Sequence, residues 1–269
     1  MVTSLLPTSS TSADLATGRG RGISGRRELG FLAIVYVGYA LTRVLASDAL
    51  GPAVSRARHL VDLERPLLLD VERPLNHWLA GHDLLGTMAA FHYASAHYVV
   101  TTVVLVWLFF RRPEVYVAAR RTLVIATSIA LAIYLLAPTA PPRLVGGFTD
   151  VLAQHATTGW WGGEASAPQG LGWMTNQLAA FPSMHAGWAL WVALAITAST
   201  ANLVIRGLAW SHAVITGLVV VGTGNHWTLD VVVGWALVGF VWMLAQQWRD
   251  DTTDVRPVLV PHARTSLER

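Results

Sequence analysis

"HWTLDVVVGWALVGFVWMLAQ", residues 226–246, opens on an ionisable pair and then runs without another charge for about the ~20 residues a helix needs to cross a bilayer. His226 and Asp230 are four apart, so on a helix they share a face, and the carboxylate can hold the imidazole in one tautomer. Charge at the mouth of a span is costly in lipid and marks a functional position by default. The bland alternative is a polar pair that satisfies itself at the membrane interface.

The rest of the chain supports a membrane reading. It has 269 residues, 53% hydrophobic and 13% charged, with a mean hydropathy of +0.46. Those values lie far from a soluble enzyme. Apolar segments of spanning length run over 29–47, 84–110, 118–137, 184–200, 203–222 and 227–246. The expected fold is therefore all-α, a polytopic bundle of about six transmembrane helices with short interfacial helices. Its expected parts are a disordered cytoplasmic N-terminus (1–28), a first span with interfacial helices (29–83), a catalytic core of spans two to six (84–246) and a cytoplasmic tail (247–269). All 19 basic residues are Arg, and there is no Cys. Disulfides, thiolate nucleophiles and Cys-based metal sites are thereby excluded. With the N-terminus inside, thirteen Arg fall on the cytoplasmic side and five, at 56, 58, 65, 73 and 143, on the other. That asymmetry satisfies the positive-inside rule and places both termini in the cytoplasm of a plasma-membrane protein. Residues 138–183 and 222–227 then face outward. The Arg residues flank apolar segments and form no basic face with interleaved aromatics, so nucleic acid is not an expected partner.

Two further groups fall at outward span ends. In "FPSMHAGW", Pro182 suits a helix entrance, Ser183 can cap it or meet a ligand, and His185 lies in the first turn. A helix start presents unpaired N–H groups and the positive end of the macrodipole, a suitable place for phosphate. In "LAPTAPPRLVGG", Arg143 is the only Arg between 138 and 205, and a guanidinium fits phosphate oxygens as a fork. An Arg there can equally snorkel to headgroups. Asn225, His97 and His92 are candidates for lining the site, although a buried hydrogen bond is the plainer reading of the last two. The outward stretch 138–181, with Trp160, Trp161 and Trp173, is long enough to expect a lid. Glu-Arg-Pro-Leu occurs at 64–67 and again at 72–75, where Pro66 and Pro74 suit the first turns of short helices. This short repeat is given no functional weight.

Pro-Pro-Arg at 141–143, Pro-Ser-Met-His at 182–185, and His226 with Asp230, in that order and on one side, resemble the phosphatidic acid phosphatase type 2 superfamily of membrane lipid phosphatases and phosphotransferases. The resemblance covers about residues 84–246. It implies that His226 attacks phosphorus, Asp230 orients it, His185 protonates the leaving oxygen, and Ser183 and Arg143 hold phosphate oxygens. It implies no metal and no cofactor. The expected partners are a lipid phosphate or phospholipid substrate, a lipid alcohol acceptor and the bilayer itself. Two cations of the family's fuller pattern are missing, since Leu136 and Val220 stand at their positions. A single guanidinium matches a monoanionic phosphodiester better than a dianionic monoester. "HWTLDVVVGW" also looks like the branch containing inositol phosphorylceramide and sphingomyelin synthases, which move a phospho-headgroup to a lipid alcohol. Other classes use the same residues differently: a transporter would run ions past the His and Asp, a zinc hydrolase would bind metal with them, and a noncatalytic relative would only bind lipid.

Overall fold

The structure is a computed structural model and describes residues 25–45, 49–69, 71–161 and 176–253. The expected disordered N-terminus lies outside these residues up to position 24. So do the end of the cytoplasmic tail, from 254, and the centre of the expected lid, 162–175. The chain divides into two compact units, Met1–Gly38 and Tyr39–Arg269. Among the described residues the secondary structure is helical, apart from isolated bridges such as the parallel one between Thr139 and Ala179.

Helix α1 covers Gly25–Leu45. In the second unit follow α2 (Leu50–Glu64), a 3₁₀ turn at Arg65–Leu67, α3 (Glu72–Ala80), α4 (Asp83–Arg111), α5 (Pro113–Leu136) and the single turn α6 (Val151–Gln154). The chain ends with α7 (Met184–Ser199), α8 (Leu203–Gly222) and α9 (Thr228–Thr253). Each of the six expected spans thus corresponds to one helix. The third begins at Pro113 instead of 118, because Pro at the first helical position starts α5 and Arg120 and Arg121 are carried inside it. The last continues beyond 246 to Thr253.

Among the described residues, α4, α5, α8 and α9 are long and apolar enough to cross a membrane. Helix α7 is equally apolar but has only 16 residues. At 1.5 Å per residue that is about 24 Å, short of the ~30 Å hydrocarbon core. It lies in the middle of the bundle, packed chiefly on α8 and α9 and also on α4 and α5. The α7–α8 contact is made of small residues, Ala189 and Ala193 against Ala209 and Ala213, which let the two backbones approach closely as membrane helices do. Large apolar side chains such as Leu203, Leu208, Leu218 and Phe240 point outward, as a lipid-facing surface requires. Several Trp residues instead serve the core with their N–H groups satisfied: Trp191 donates to Ala119 O at 2.7 Å and Trp235 to Ala186 O at 3.0 Å.

The described flanks of the long outward stretch are anchored. Ala140 N donates to Ala53 O, Thr139 N to Leu178 O and Ala180 N to Thr139 O, while Trp161 is fully buried in the core with Tyr93, Val220 and Val231.

Candidate active site

The amino ends of α7 and α9 and the carboxyl end of α8 meet at one end of the bundle, and local sequence explains each. Ser183 is the N-cap of α7, its Oγ accepting from Ala186 N at 3.3 Å. Its own N–H donates to Asp230 O at 2.9 Å, which ties the mouth of α7 to the first turn of α9. Gly234 permits that approach, because a Cβ there would collide with the Ser183 carbonyl. Helix α8 ends at Gly222, and Gly224, at φ +77°, turns the chain as glycine after a helix commonly does. A side chain at 224 would also meet Thr149 O at 2.9 Å. The Val220 carbonyl then accepts both Asn225 N and His226 N, so the His226 backbone is held to the end of α8.

His226 Nδ1 lies 2.8 Å from Ala180 O and 3.4 Å from Asp230 Oδ2. A carbonyl and a carboxylate can only accept, so Nδ1 carries the proton and Nε2 keeps the lone pair. Burial pushes the imidazole down to about 4 and the Arg143 charge adds to this, while the bond to Ala180 opposes it. At neutral pH the ring is therefore uncharged. Asp230 is fully buried, and its Oδ2 also accepts from Trp227 N at 2.8 Å.

His185 faces His226 with ring centroids 5.5 Å apart. It is stacked on Tyr93 at 4.3 Å and meets His97 edge-on at 4.1 Å, and its Nε2 is buried without a hydrogen-bond partner. His97 is thus in the expected neighbourhood, with its Nδ1 donating to Tyr93 O at 3.0 Å. His92 is not brought to this group: its Nε2 bonds Thr216 Oγ1 at 2.9 Å and its ring turns toward His212. Asn225 supports Arg143, its Oδ1 accepting from Arg143 Nε at 2.9 Å while its amide donates to Thr223. The Arg143 side chain is nearly buried, and Asp150 Oδ2 lies 3.7 Å from its Nε. Asn225 and Asp150 thereby hold the guanidinium from its Nε side.

Sequence reasoning missed three residues that build this end of the bundle. Glu64 Oε1 accepts from Leu229 N and Glu72 Oε1 from Thr228 N, each at 2.7 Å. Both side chains are buried, as is Asn76, whose amide donates to Gly222 O and Thr149 O at 2.9 Å. The Glu-Arg-Pro-Leu repeat, read as without functional weight, is what delivers the two carboxyl groups, and that repeat was the available signal. At the two positions where further cations were sought, Leu136 is 85% exposed and Val220 lies in the core.

Among the described residues no three of His, Asp or Glu are grouped as metal ligands. The fold and this site define a class: an apolar helical bundle in which two facing histidines, one braced by a carboxylate, share one end with a nearly buried guanidinium. A sequence profile of the PAP2 superfamily matches residues 58–244, more than half of the chain, and the chain belongs to that superfamily, whose members are generally phosphatases. Together with the four long apolar helices among the described residues this makes it an integral membrane protein. Comparison with curated proteins and with solved structures gives no match. The superfamily match begins at 58 and so takes in Glu64, Glu72 and Asn76, upstream of the region from 84 that the motifs alone delimit.

Proposed function

We propose that the protein is a membrane enzyme that cleaves a lipid phosphoester through a phosphohistidine on His226 and passes the phosphorus group to a lipid alcohol or to water. The observation that carries this reading is the environment of His226 Nδ1, which meets a carbonyl and a carboxylate. Such a ring has one nitrogen committed to donation and the other free to attack.

In the first step Nε2 of His226 forms a bond to phosphorus and the bond to the ester oxygen breaks. His185 gives that oxygen its proton, and acid assistance of this kind is worth about 10²–10⁴-fold. In the second step an alcohol or water attacks phosphorus, His185 takes back a proton, and the P–N bond returns its electrons to His226. Asp230 and Ala180 stabilise the charge that His226 carries between the steps. Arg143, the Ser183 hydroxyl and the first amides of α7 hold the phosphate oxygens.

Headgroup transfer is favoured over monoester hydrolysis by the supply of positive charge. The amides of Thr228 and Leu229, which an anion would otherwise seek at the start of α9, are taken by Glu72 and Glu64. Leu136 and Val220 provide no cation. One guanidinium and one helix end remain, a match for a diester bearing a single negative charge, such as a phosphoinositol lipid with diacylglycerol as acceptor. With the basic tracts inside, the site faces the extracytoplasmic side of a plasma membrane and both termini are cytoplasmic.

The test uses purified protein in detergent with phosphatidic acid, a polyprenyl diphosphate, or a phosphoinositide plus a diacylglycerol of different acyl length, scoring free phosphate and new lipid products. Headgroup exchange without free phosphate, abolished in a folded His226→Ala variant, is the expected result. Phosphate release lost in that variant would replace transfer by hydrolysis. Equal behaviour of wild type and His226→Ala on every substrate would leave a noncatalytic lipid binder or a transporter.

A further inference from the structure

Three carboxyl groups from three segments converge on the start of α9. Glu64 ends α2, Glu72 begins α3, and Asp230 lies in α9 itself; their relative exposures are 0%, 3% and 0%. Between them they take the amides of Leu229, Thr228 and Trp227 at 2.7–2.8 Å. Those are the three amides that lie between His226 and Asp230 in the chain. A helix that begins inside a protein must have its first N–H groups satisfied, and here the acceptors come from 165 and 156 residues away in sequence.

The arrangement has a surplus of acceptors. Glu64 Oε2 is buried with no hydrogen-bond partner, and Glu64 and Glu72 accept from the adjacent amides of Leu229 and Thr228, which brings the two buried carboxyl groups together. Two carboxylates cannot face one another in a buried place with both charges intact, but one proton between them turns the contact into a hydrogen bond. Burial, with the negative charges of Glu72 and Asp230 added, pushes Glu64 up to about 8, against the lowering effect of its bond from Leu229. The other charged groups around the pair are Arg73, beside Glu72 on α3, and Asp62 and Arg65, which pair with each other at 3.2 Å on the surface. Glu72 also lines an open cleft of about 620 Å³ with Arg58, Arg65, Arg73 and Trp227.

We propose that Glu64 and Glu72 are positioning residues: as an acid and a carboxylate sharing one proton, they close the amino end of α9 and hold His226 and Asp230 in register with His185. The proposal rests on His226 being the reacting residue, as argued above. It also accounts for the repeat, since each copy of Glu-Arg-Pro-Leu supplies one member of the pair.

Two readouts test it. The first is independent of turnover: amide hydrogen exchange in the peptide covering 223–235 of the full-length protein in detergent. Glu64→Ala and Glu72→Ala remove an acceptor each and should accelerate exchange there, leaving the far end of α9 unchanged. The second is kinetic. Both Ala variants should lower kcat by about 10- to 100-fold with KM little altered, the cost of a misplaced reacting group. Glu64→Gln keeps the acceptor for Leu229 N and offers an N–H to Glu72, so it should restore most of what Glu64→Ala loses. Wild type should lose kcat as pH rises through about 8, where the shared proton leaves, and Glu64→Gln should lack that basic limb. Unchanged exchange in both Ala variants overturns the positioning role; an identical basic limb in Glu64→Gln overturns the shared proton. If His226→Ala retains full turnover, the functional reading fails by itself, and the exchange data still decide whether the pair holds α9.

Discussion

The two nitrogens of His226 have different partners, and that asymmetry fixes what a substitution at Asp230 does. Asn at 230 keeps an oxygen for Trp227 N but offers the ring no negative charge, and its amide can turn an N–H toward Nδ1. The competing donor favours the wrong tautomer, so Asp230→Asn should lower kcat by about 10²-fold or more while the protein folds. The pH profile follows from the same surroundings. A ring pushed down to about 4 stays neutral until the medium is strongly acidic, so protonation of His226 contributes an acid limb only as pH falls toward that value. A titration of the His226 ring centred near 6 to 7, followed by NMR of the protein in detergent, would show that the ring is more solvated than its 3% exposure implies. His226, Asp230, Ser183, His185 and Arg143 were all legible in the chain, because each is a polar residue at an abrupt start or end of an apolar run. What no local pattern could give is the Ala180 carbonyl as the nearer partner of Nδ1, a contact across 46 residues.

At the scale of elements, the site depends on how closely α9 crosses the mouth of α7. Gly234 faces the Ser183 carbonyl with no room for a methyl group, and the obstacle is backbone, which cannot step aside as a flexible side chain can. Gly187 supports the same crossing, where a Cβ would meet Val238 at 3.1 Å and the Gly234 carbonyl at 3.4 Å. Gly239, a little further along α9, has open space around it. Gly234→Ala should therefore destabilise the protein by about 1–3 kcal/mol, the usual cost of overpacking, and reduce turnover as Ser183 and Asp230 separate. Gly239→Ala should leave both within error or raise the melting temperature slightly, since Ala is the better helix former. Thermal melts in detergent alongside the headgroup-transfer assay check the pair; equal effects at 234 and 239 would mean that the crossing has slack. The helices themselves could be drawn from the sequence because span length and apolar runs are local properties. Of the two prolines expected in the first turns of short helices, Pro74 does lie in the first turn of α3, whereas Pro66 starts only the 3₁₀ turn after α2, so α2 itself had no such signal, and neither helix's docking at the start of α9 could be anticipated. Their outer faces carry the Arg and Leu of an interfacial segment, and only the bundle reveals that Glu64, Glu72 and Asn76 point the other way.

Over the whole molecule, the helix directions place Arg143, Ser183, His185, His226 and Asp230 at one end. Helices α4, α7 and α9 begin there and α5 and α8 finish there, so Arg143, His185 and His226 share that end with Arg56 and Arg58 of α2, Arg65 of the 3₁₀ turn and Arg73 of α3. The opposite end holds the α4–α5 connection with Arg111 and Arg112, and the α7–α8 connection, where Arg206 folds back onto the carbonyls of Thr197 and Thr200. In the orientation proposed above from charge bias, the second end is the cytoplasmic one. The absence of Cys from the sequence makes this assignment directly testable, because any thiol introduced is the only one. Thr157 is exposed beside α6 at the site end, and Ala201 is exposed between α7 and α8 at the other. In intact cells a membrane-impermeant maleimide should label Thr157→Cys at once and Ala201→Cys only after permeabilisation. The reverse pattern would turn the site toward the cytoplasm, where headgroup donors and acceptors of the inner leaflet become the relevant lipids and the Arg asymmetry ceases to describe this fold. The labelling outcome thus selects the leaflet that supplies the substrate, a choice that the chemistry of His226 and His185 leaves open because it is the same on either side.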